Sequence, residues 1–157
     1  MYNDLPDGAV AASHAFSIPP QIDNLDAYLK RTRPRYPVAV LRPVKLRAKA
    51  AEFTAAFPGR ILYAVKCNPD ERVLRALIAG GVDSFDCASI GEVRLIRRIM
   101  PQATIYFMHP IKSRESIREA YFEHNVRAFV LDTADELKKI VQETQNAQDL
   151  TLFVRMA

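Results

Sequence analysis

Five ionisable side chains recur at similar intervals along this 157-residue sequence, each at or directly after the end of a short apolar run. In chain order they are Lys66, Asp86, His109, Asp132 and Arg155. Lys66 has the clearest chemistry, because an amine at the end of an apolar strand loses solvation and its neutral, nucleophilic form becomes accessible. Such a lysine forms Schiff bases with aldehydes. Asp132 precedes Thr133 and has a second interpretation, as support for the start of a helix.

The apolar runs themselves form a repeat. They read "RILYAV", "VDSFD", "TIYFM", "RAFVLD" and "LTLFVRMA", and Ile61, Val82, Thr104, Ala128 and Leu152 mark them at spacings of 21 to 24 residues. Amphipathic helix-like segments lie between them, which predicts βαβ units and a parallel sheet. Because the carboxyl ends of parallel strands meet at one edge, we expect the five ionisable side chains to share that edge, where such folds place active sites.

Helix boundary signals agree with this repeat. Asn68 before Pro69 predicts the start of the first helix in the repeat, and Gly80–Gly81 predicts its end. Ser89 with Glu92, and Thr133 with Glu136, have the spacing of capping boxes.

Residues 1–36 differ from the repeat and predict an irregular segment with one short helix around Leu25 to Lys30. From residue 37 onwards, "PVAVL" predicts a strand, and "PVKLRAKAAEFTAAF" predicts a helix that ends at Pro58–Gly59.

The turn after the first repeat strand decides between two folds. Open sheets that bind nucleotides carry a glycine-rich turn there, whereas this chain has "KCNPD". The sequence therefore predicts an α/β fold that is part of a (β/α)8 TIM barrel, with about five β/α units in residues 37–157. A complete barrel has eight strands and about 250 residues.

Composition excludes several other classes. A net charge of +4, from 22 basic and 18 acidic residues, is too small to indicate a nucleic-acid partner. No apolar run predicts a membrane span, and the amino terminus lacks signal-peptide features, so we expect a cytoplasmic protein. Cys67 and Cys87 form no metal-ligand or disulfide pattern, and both are expected to be buried near strand ends.

Three stretches resemble one enzyme family. They are "YAVKCNP" at Tyr63–Pro69, "FDCASIGEV" at Phe85–Val93 and "IYFMHPIKSRESIREAY" at Ile105–Tyr121. They are similar to the pyridoxal-phosphate-dependent ornithine and lysine decarboxylases of the alanine-racemase-like barrel type, and diaminopimelate decarboxylase shares the lysine motif. The similarity continues in order from residue 37 to the end of the chain.

The resemblance implies roles for individual residues. Lys66 corresponds to the catalytic lysine that holds pyridoxal 5'-phosphate through a Schiff base. Asp86 and Arg155 correspond to residues that line the cofactor site, while Glu92 and His109 are possible supporting residues. No metal is implied.

The resemblance also implies a reaction, the decarboxylation of a basic amino acid, most simply ornithine to putrescine in polyamine biosynthesis. Lysine or diaminopimelate as substrate, or a non-catalytic binding protein related to the decarboxylases, are the alternatives, and Lys66 and Asp86 argue against the last. In the family a β domain, with which residues 1–36 would associate, and a phosphate-binding loop follow. We therefore expect a fragment that is inactive alone and a full-length homodimer.

Overall fold

A computed structural model describes residues 21–156, in which short helices and strands alternate. The elements are α1 Leu25–Thr32, α2 Pro43–Ala56, β1 Leu62–Ala64, α3 Glu71–Ile78, β2 Ser84–Cys87, α4 Ile90–Ile99, β3 Thr104–Phe107, α5 Arg114–Phe122, β4 Ala128–Leu131, α6 Ala134–Glu143 and β5 Thr151–Val154. A 3-10 turn, Val65–Cys67, follows β1. Most of the predicted amino-terminal segment, residues 1–20, lies outside the described residues.

The chain divides into two compact units, Met1–Val40 and Leu41–Ala157. In the first, helix α1 begins after Asn24, whose side-chain oxygen accepts a hydrogen bond from the Ala27 amide at 3.0 Å. This helix confirms the one expected around Leu25 to Lys30. The remaining helices and all five strands belong to the second unit.

The five strands form one parallel sheet in the order β1-β2-β3-β4-β5, as the repeat predicts. Sequential right-handed crossovers place the connecting helices on one face of such a sheet. Phe85, Phe107 and Phe129 point to that face and are at most 2% exposed. Burying a side chain of this size contributes about 2 kcal/mol, so these rings anchor the helices to the sheet. In residues 21–156 no helix has the length and apolar composition that crossing a bilayer requires.

Two of the predicted helix starts are confirmed, and a third is wrong. The Ser89 hydroxyl accepts from the Glu92 amide at 3.3 Å, and the Thr133 hydroxyl accepts from the Glu136 amide at 3.1 Å. Helix α3 instead starts after Asp70, because the 3-10 turn occupies the residues before it and Asn68 accepts from the Asp70 amide at 3.1 Å.

Two other expectations are also wrong. Residues 37–42 form no strand, since prolines at 37 and 43 flank the run and no described strand pairs with it, and Val38 and Val40 are about 40% exposed. Cys87 is buried as predicted, but Cys67 is exposed, because the 3-10 turn removes it from the strand.

Gly80 is required by close packing between α2 and the end of α3. A Cβ atom there would lie 2.6 Å from the Ala50 Cβ and 2.6 Å from the Arg47 carbonyl oxygen. We expect Gly80→Ala to lower the free energy of unfolding by about 1–3 kcal/mol, the usual cost of overpacking. Urea denaturation measures this change. Gly91→Ala is the matched control, since a Cβ there meets only the Ser89 hydroxyl at 3.8 Å, and an equal loss in both variants would contradict the argument.

Candidate active site

Lys66 lies at the carboxyl end of β1, in the middle of the 3-10 turn. The strand ends at Ala64, one residue before the end of the apolar run "RILYAV". Val65 is completely buried and anchors the turn, while the Tyr63 hydroxyl donates to the Asn68 carbonyl at 3.4 Å. The Lys66 side chain itself is exposed, so the desolvation expected from the sequence is not provided by the described part of the chain. The turn instead presents an accessible amine at the edge of the sheet.

Asp86 is the nearest carboxylate on the neighbouring strand, because Ala64 and Asp86 are paired in the register of β1 and β2. Phe85 and Cys87 point into the helix-facing core, so the pleat turns Asp86 to the opposite face, which we call the inner face. Burial raises the pKa of Asp86, and the positive charge of Lys66 acts in the opposite direction. The structure therefore brings this predicted pair together.

Glu92 stabilises the turn that follows Asp86. Its Oε2 accepts a hydrogen bond from the Ala88 amide at 2.8 Å. A capping box predicts a bond to the Ser89 amide instead, so that half of the prediction is wrong: the carboxylate reaches one residue farther back. Glu92 thus lies beside the predicted site and acts on it through the backbone.

Arg155 and His109 occupy the same edge of the sheet on other strands. The Arg155 amide donates to the Leu131 carbonyl at 2.8 Å, which extends the ladder one residue beyond β5 and places Arg155 on the inner face with Phe153. His109 follows β3, is exposed, and its Nδ1 lies 2.7 Å from the Ile111 carbonyl oxygen. The edge is shared as predicted: Lys66, Asp86 and His109 belong to the consecutive strands β1, β2 and β3, and Arg155 follows β5, two strands farther along.

Sequence reasoning missed a buried ion pair at this edge. The Lys112 Nζ lies 2.9 Å from Glu136 Oε1, and the two side chains are 0% and 6% exposed. The only sequence signal was the position of Lys112 in the "HPIK" turn after β3 and of Glu136 in the predicted capping box of α6. Nothing in the local pattern indicated that the two would meet.

A cavity of about 440 Å³ lies at the opposite edge, near the first residues of β3, β4 and β5. Its guanidinium groups contact protein oxygens, although the buried Nε of Arg97 has no partner among the described residues. Arg97 donates to the His124 carbonyl at 2.7 Å, and Arg127 donates to Asp149 at 2.6 Å. These contacts tie loops together, so this cavity is not the site that the strand ends predict.

The residues at the carboxyl edge fit an aldehyde cofactor. Such a cofactor requires a primary amine that it can reach, with charged groups nearby. Lys66 is accessible and adjacent to Asp86, whereas Lys112 is enclosed by oxygen atoms and Lys138 lies on the outer surface of α6. Lys66 is therefore the lysine at this edge that suits the group.

Asp86 is expected to lower the stability of the fold at neutral pH. Burial raises the pKa of its carboxyl in the folded state, so the folded chain is most stable below the ordinary carboxyl pKa near 3.9 and loses stability as pH rises from there through the raised pKa. Asp86→Asn should therefore raise the midpoint of thermal unfolding at pH 7, and the difference should vanish below about pH 3. Asp135→Asn, at an exposed carboxylate, should show no such rise. A lower midpoint for Asp86→Asn at pH 7 would mean that attraction to Lys66 outweighs burial.

Comparison with known proteins identifies the family to which the chain is similar. Residues 44–157 match the family described as "Pyridoxal-dependent decarboxylase, pyridoxal binding domain". Ornithine decarboxylase of Neurospora crassa is 39% identical over 95 residues, which are 60% of this chain and 19% of that protein. Ornithine decarboxylase of Panagrellus redivivus is 32% identical over 123 residues, or 77% and 27%. The chain thus spans about a fifth to a quarter of the length of these relatives.

Solved structures agree. The lysine/ornithine decarboxylase from Vibrio vulnificus, complexed with putrescine, superposes with a TM-score of 0.68 at 30% identity, covering 83% of this chain and 35% of that one. The arginine decarboxylase of Paramecium bursaria Chlorella virus gives a TM-score of 0.69 at 28% identity, with the same coverage. These similarities confirm the predicted partial barrel and the predicted cofactor, pyridoxal phosphate. The chain belongs to the pyridoxal-dependent decarboxylases, through the pyridoxal-binding domain of that family.

Proposed function

We propose that this chain contributes the cofactor lysine of a decarboxylase that acts on basic amino acids, with ornithine as the preferred substrate. One observation carries the proposal: an accessible amine, Lys66, and a half-buried carboxylate, Asp86, lie on adjacent strands at the carboxyl edge of the matched domain. Ornithine is favoured because several curated relatives, including those of Neurospora and Panagrellus, are ornithine decarboxylases.

Each residue at the edge has a task in this proposal. When bound, pyridoxal phosphate supplies an electron sink for the electron pair left behind as carbon dioxide departs. Lys66 provides the amine for covalent attachment of the cofactor. Asp86 holds the Lys66 ammonium by charge and can accept a proton from it. Arg155 offers a guanidinium suited to a phosphate or carboxylate, and Glu92 fixes the turn after Asp86 through the Ala88 amide.

Lysine and diaminopimelate are the alternative substrates, and a relative from Selenomonas ruminantium is a lysine/ornithine decarboxylase, 30% identical over 98 residues. A non-catalytic binding protein is the other alternative. It is disfavoured because such a protein has no need of the Lys66–Asp86 arrangement. The homodimer and the cytoplasmic location expected from the sequence stay predictions.

The test uses the natural protein that contains this chain. Carbon dioxide release is measured from carboxyl-labelled ornithine, with lysine, arginine and diaminopimelate as parallel substrates. We expect kcat/KM to be highest for ornithine. A higher value for another basic amino acid would correct the substrate, and no release from any of them in the presence of pyridoxal phosphate would contradict the function.

A further inference from the structure

Lys112 is the least exposed charged residue among those described, at 4%. It lies at the end of the segment 108–112, which we call the rim loop because it leaves β3 at the same edge as Lys66 and Asp86. Its three N–H groups are all used: the ammonium donates to the carbonyls of His109 at 2.9 Å, Pro110 at 3.1 Å and Val130 at 2.7 Å. A lysine bound in this way is unavailable for chemistry, and its role must lie in what it holds.

The Val130 carbonyl explains why a cation is needed there. The carbonyls of Arg127 and Leu131 accept from β5, so the alternation along β4 turns the Val130 carbonyl towards β3. The amides of Thr104 and Met108 face β2, so the β3 amide that would reach Val130 is that of His109. However, β3 pairs with β4 only as far as Phe107, and the His109 amide makes no backbone hydrogen bond to Val130. The sheet therefore splits at this point. The Lys112 ammonium occupies the gap and satisfies a buried carbonyl that has lost its ladder partner.

The same ammonium fixes the rim loop. Two of its three donors go to consecutive loop carbonyls, those of His109 and Pro110. The imidazole of His109 in turn contacts the Ile111 backbone, and its Nδ1 lies 2.7 Å from the Ile111 carbonyl oxygen. Glu136 supplies the balancing charge from the first turn of α6, and its other oxygen lies 2.6 Å from Lys139. The loop is thus tied to β4 by hydrogen bonds, while Glu136 serves mainly to neutralise the buried cation.

We propose that Lys112 is a positioning residue, which acts through the backbone of the rim loop to hold His109 at the edge that carries Lys66 and Asp86. This inference rests on the proposed function, because it assigns the loop to the cofactor site. The carbonyl contacts of Lys112 position the loop, and the ion pair with Glu136 makes the buried charge tolerable.

Two variants separate these roles in the 157-residue chain. Lys112→Arg keeps a cation for Glu136, but a planar guanidinium cannot direct three donors from one nitrogen to three carbonyls. Glu136→Gln keeps the ammonium and its three carbonyl contacts but removes the balancing charge. Nitrogen-15 spectra of the histidine rings report which ring nitrogen carries the proton. We expect the His109 signals to move in Lys112→Arg and to stay in place in Glu136→Gln, although both variants unfold more easily.

Two controls accompany the spectra. Lys139→Met removes the other cation beside Glu136, a lysine side chain that is 19% exposed, and should leave His109 unchanged. His124, whose ring lies 3.1 Å from Glu119 on another helix, is an internal reference in every spectrum. Unchanged His109 signals in Lys112→Arg, or equal movement in Glu136→Gln, would overturn the proposal.

A second readout connects the loop to the cofactor site. The chains are incubated with pyridoxal phosphate and reduced with borohydride, and the label on Lys66 is compared with that on the exposed Lys138. We expect the ratio of label on Lys66 to label on Lys138 to fall about tenfold in Lys112→Arg. The reason is that a displaced rim loop no longer holds His109 in a fixed orientation at the edge that carries Lys66. A moved His109 with an unchanged ratio would overturn the inference. A ratio near one in the unmodified chain would contradict the proposed function instead, and the histidine spectra would still decide whether Lys112 positions the loop.

Discussion

Lys66→Ala is expected to reduce decarboxylation by the natural protein by roughly 10³-fold or more, the range for removing a group that touches the reacting atoms. The amine at this position is the attachment point that the fold presents at the carboxyl edge, on a turn anchored by the buried Val65. The loss should appear mainly in kcat, because the neighbours that contact the substrate remain. Steady-state carbon dioxide release from ornithine measures it.

Lys138→Ala is the matched control, since that lysine is 72% exposed and pairs only with Asp135 on the outer surface of α6. It should retain full activity. The fold should not suffer in Lys66→Ala either, because the side chain is exposed, so thermal unfolding of the two variants should coincide. A Lys66→Ala protein with more than about a tenth of the original kcat would refute the role of this amine.

Lys112→Met is expected to produce the largest loss of stability, about 3–5 kcal/mol in the free energy of unfolding. The substitution leaves the buried Glu136 carboxylate with one of its two cations and leaves the Val130 carbonyl without a donor. The lower end of the range is favoured because Lys139 still lies 2.6 Å from the other oxygen of Glu136. Since small domains are stable by about 5–15 kcal/mol, urea denaturation should detect this change readily.

The double variant Lys112→Met with Glu136→Leu tests whether the buried charge causes this loss of stability. Replacing both charges with apolar groups removes the uncompensated carboxylate, so we expect it to recover more than half of the loss. Equal destabilisation in the single and double variants would show that the carbonyl contacts, and not the buried charge, carry the stability.

The parallel sheet could be predicted from the sequence because the pattern that indicates it lies within short stretches of the chain. Runs such as "RAFVLD" are apolar on both sides, and strands of that kind are covered on both faces, so spacing and periodicity were enough to predict five parallel strands in chain order. The position of Lys66 and Asp86 at one edge could be predicted in the same way, because parallel strands bring their carboxyl ends together.

The predictions that the structure contradicts concern features that leave no periodic pattern in the sequence. The exposure of Cys67 and the start of α3 at Asp70 depend on the 3-10 turn after β1, which leaves no periodic signal. The Glu136 side chain was predicted to cap its own helix, but it pairs with Lys112, which lies 24 residues earlier in the chain. Contacts between distant loops depend on how strands separate at the edge, and hydrophobic periodicity contains no information about that separation.

A covalent label on the chain shows which of its lysines reacts with the cofactor. The 157-residue chain is incubated with pyridoxal phosphate at low excess, reduced with borohydride and digested, and the pyridoxyl group is located by mass spectrometry. The predicted result is a label concentrated on the peptide that contains Lys66. A label distributed evenly over exposed lysines such as Lys45 and Lys138, or concentrated on Lys112, would contradict the assignment.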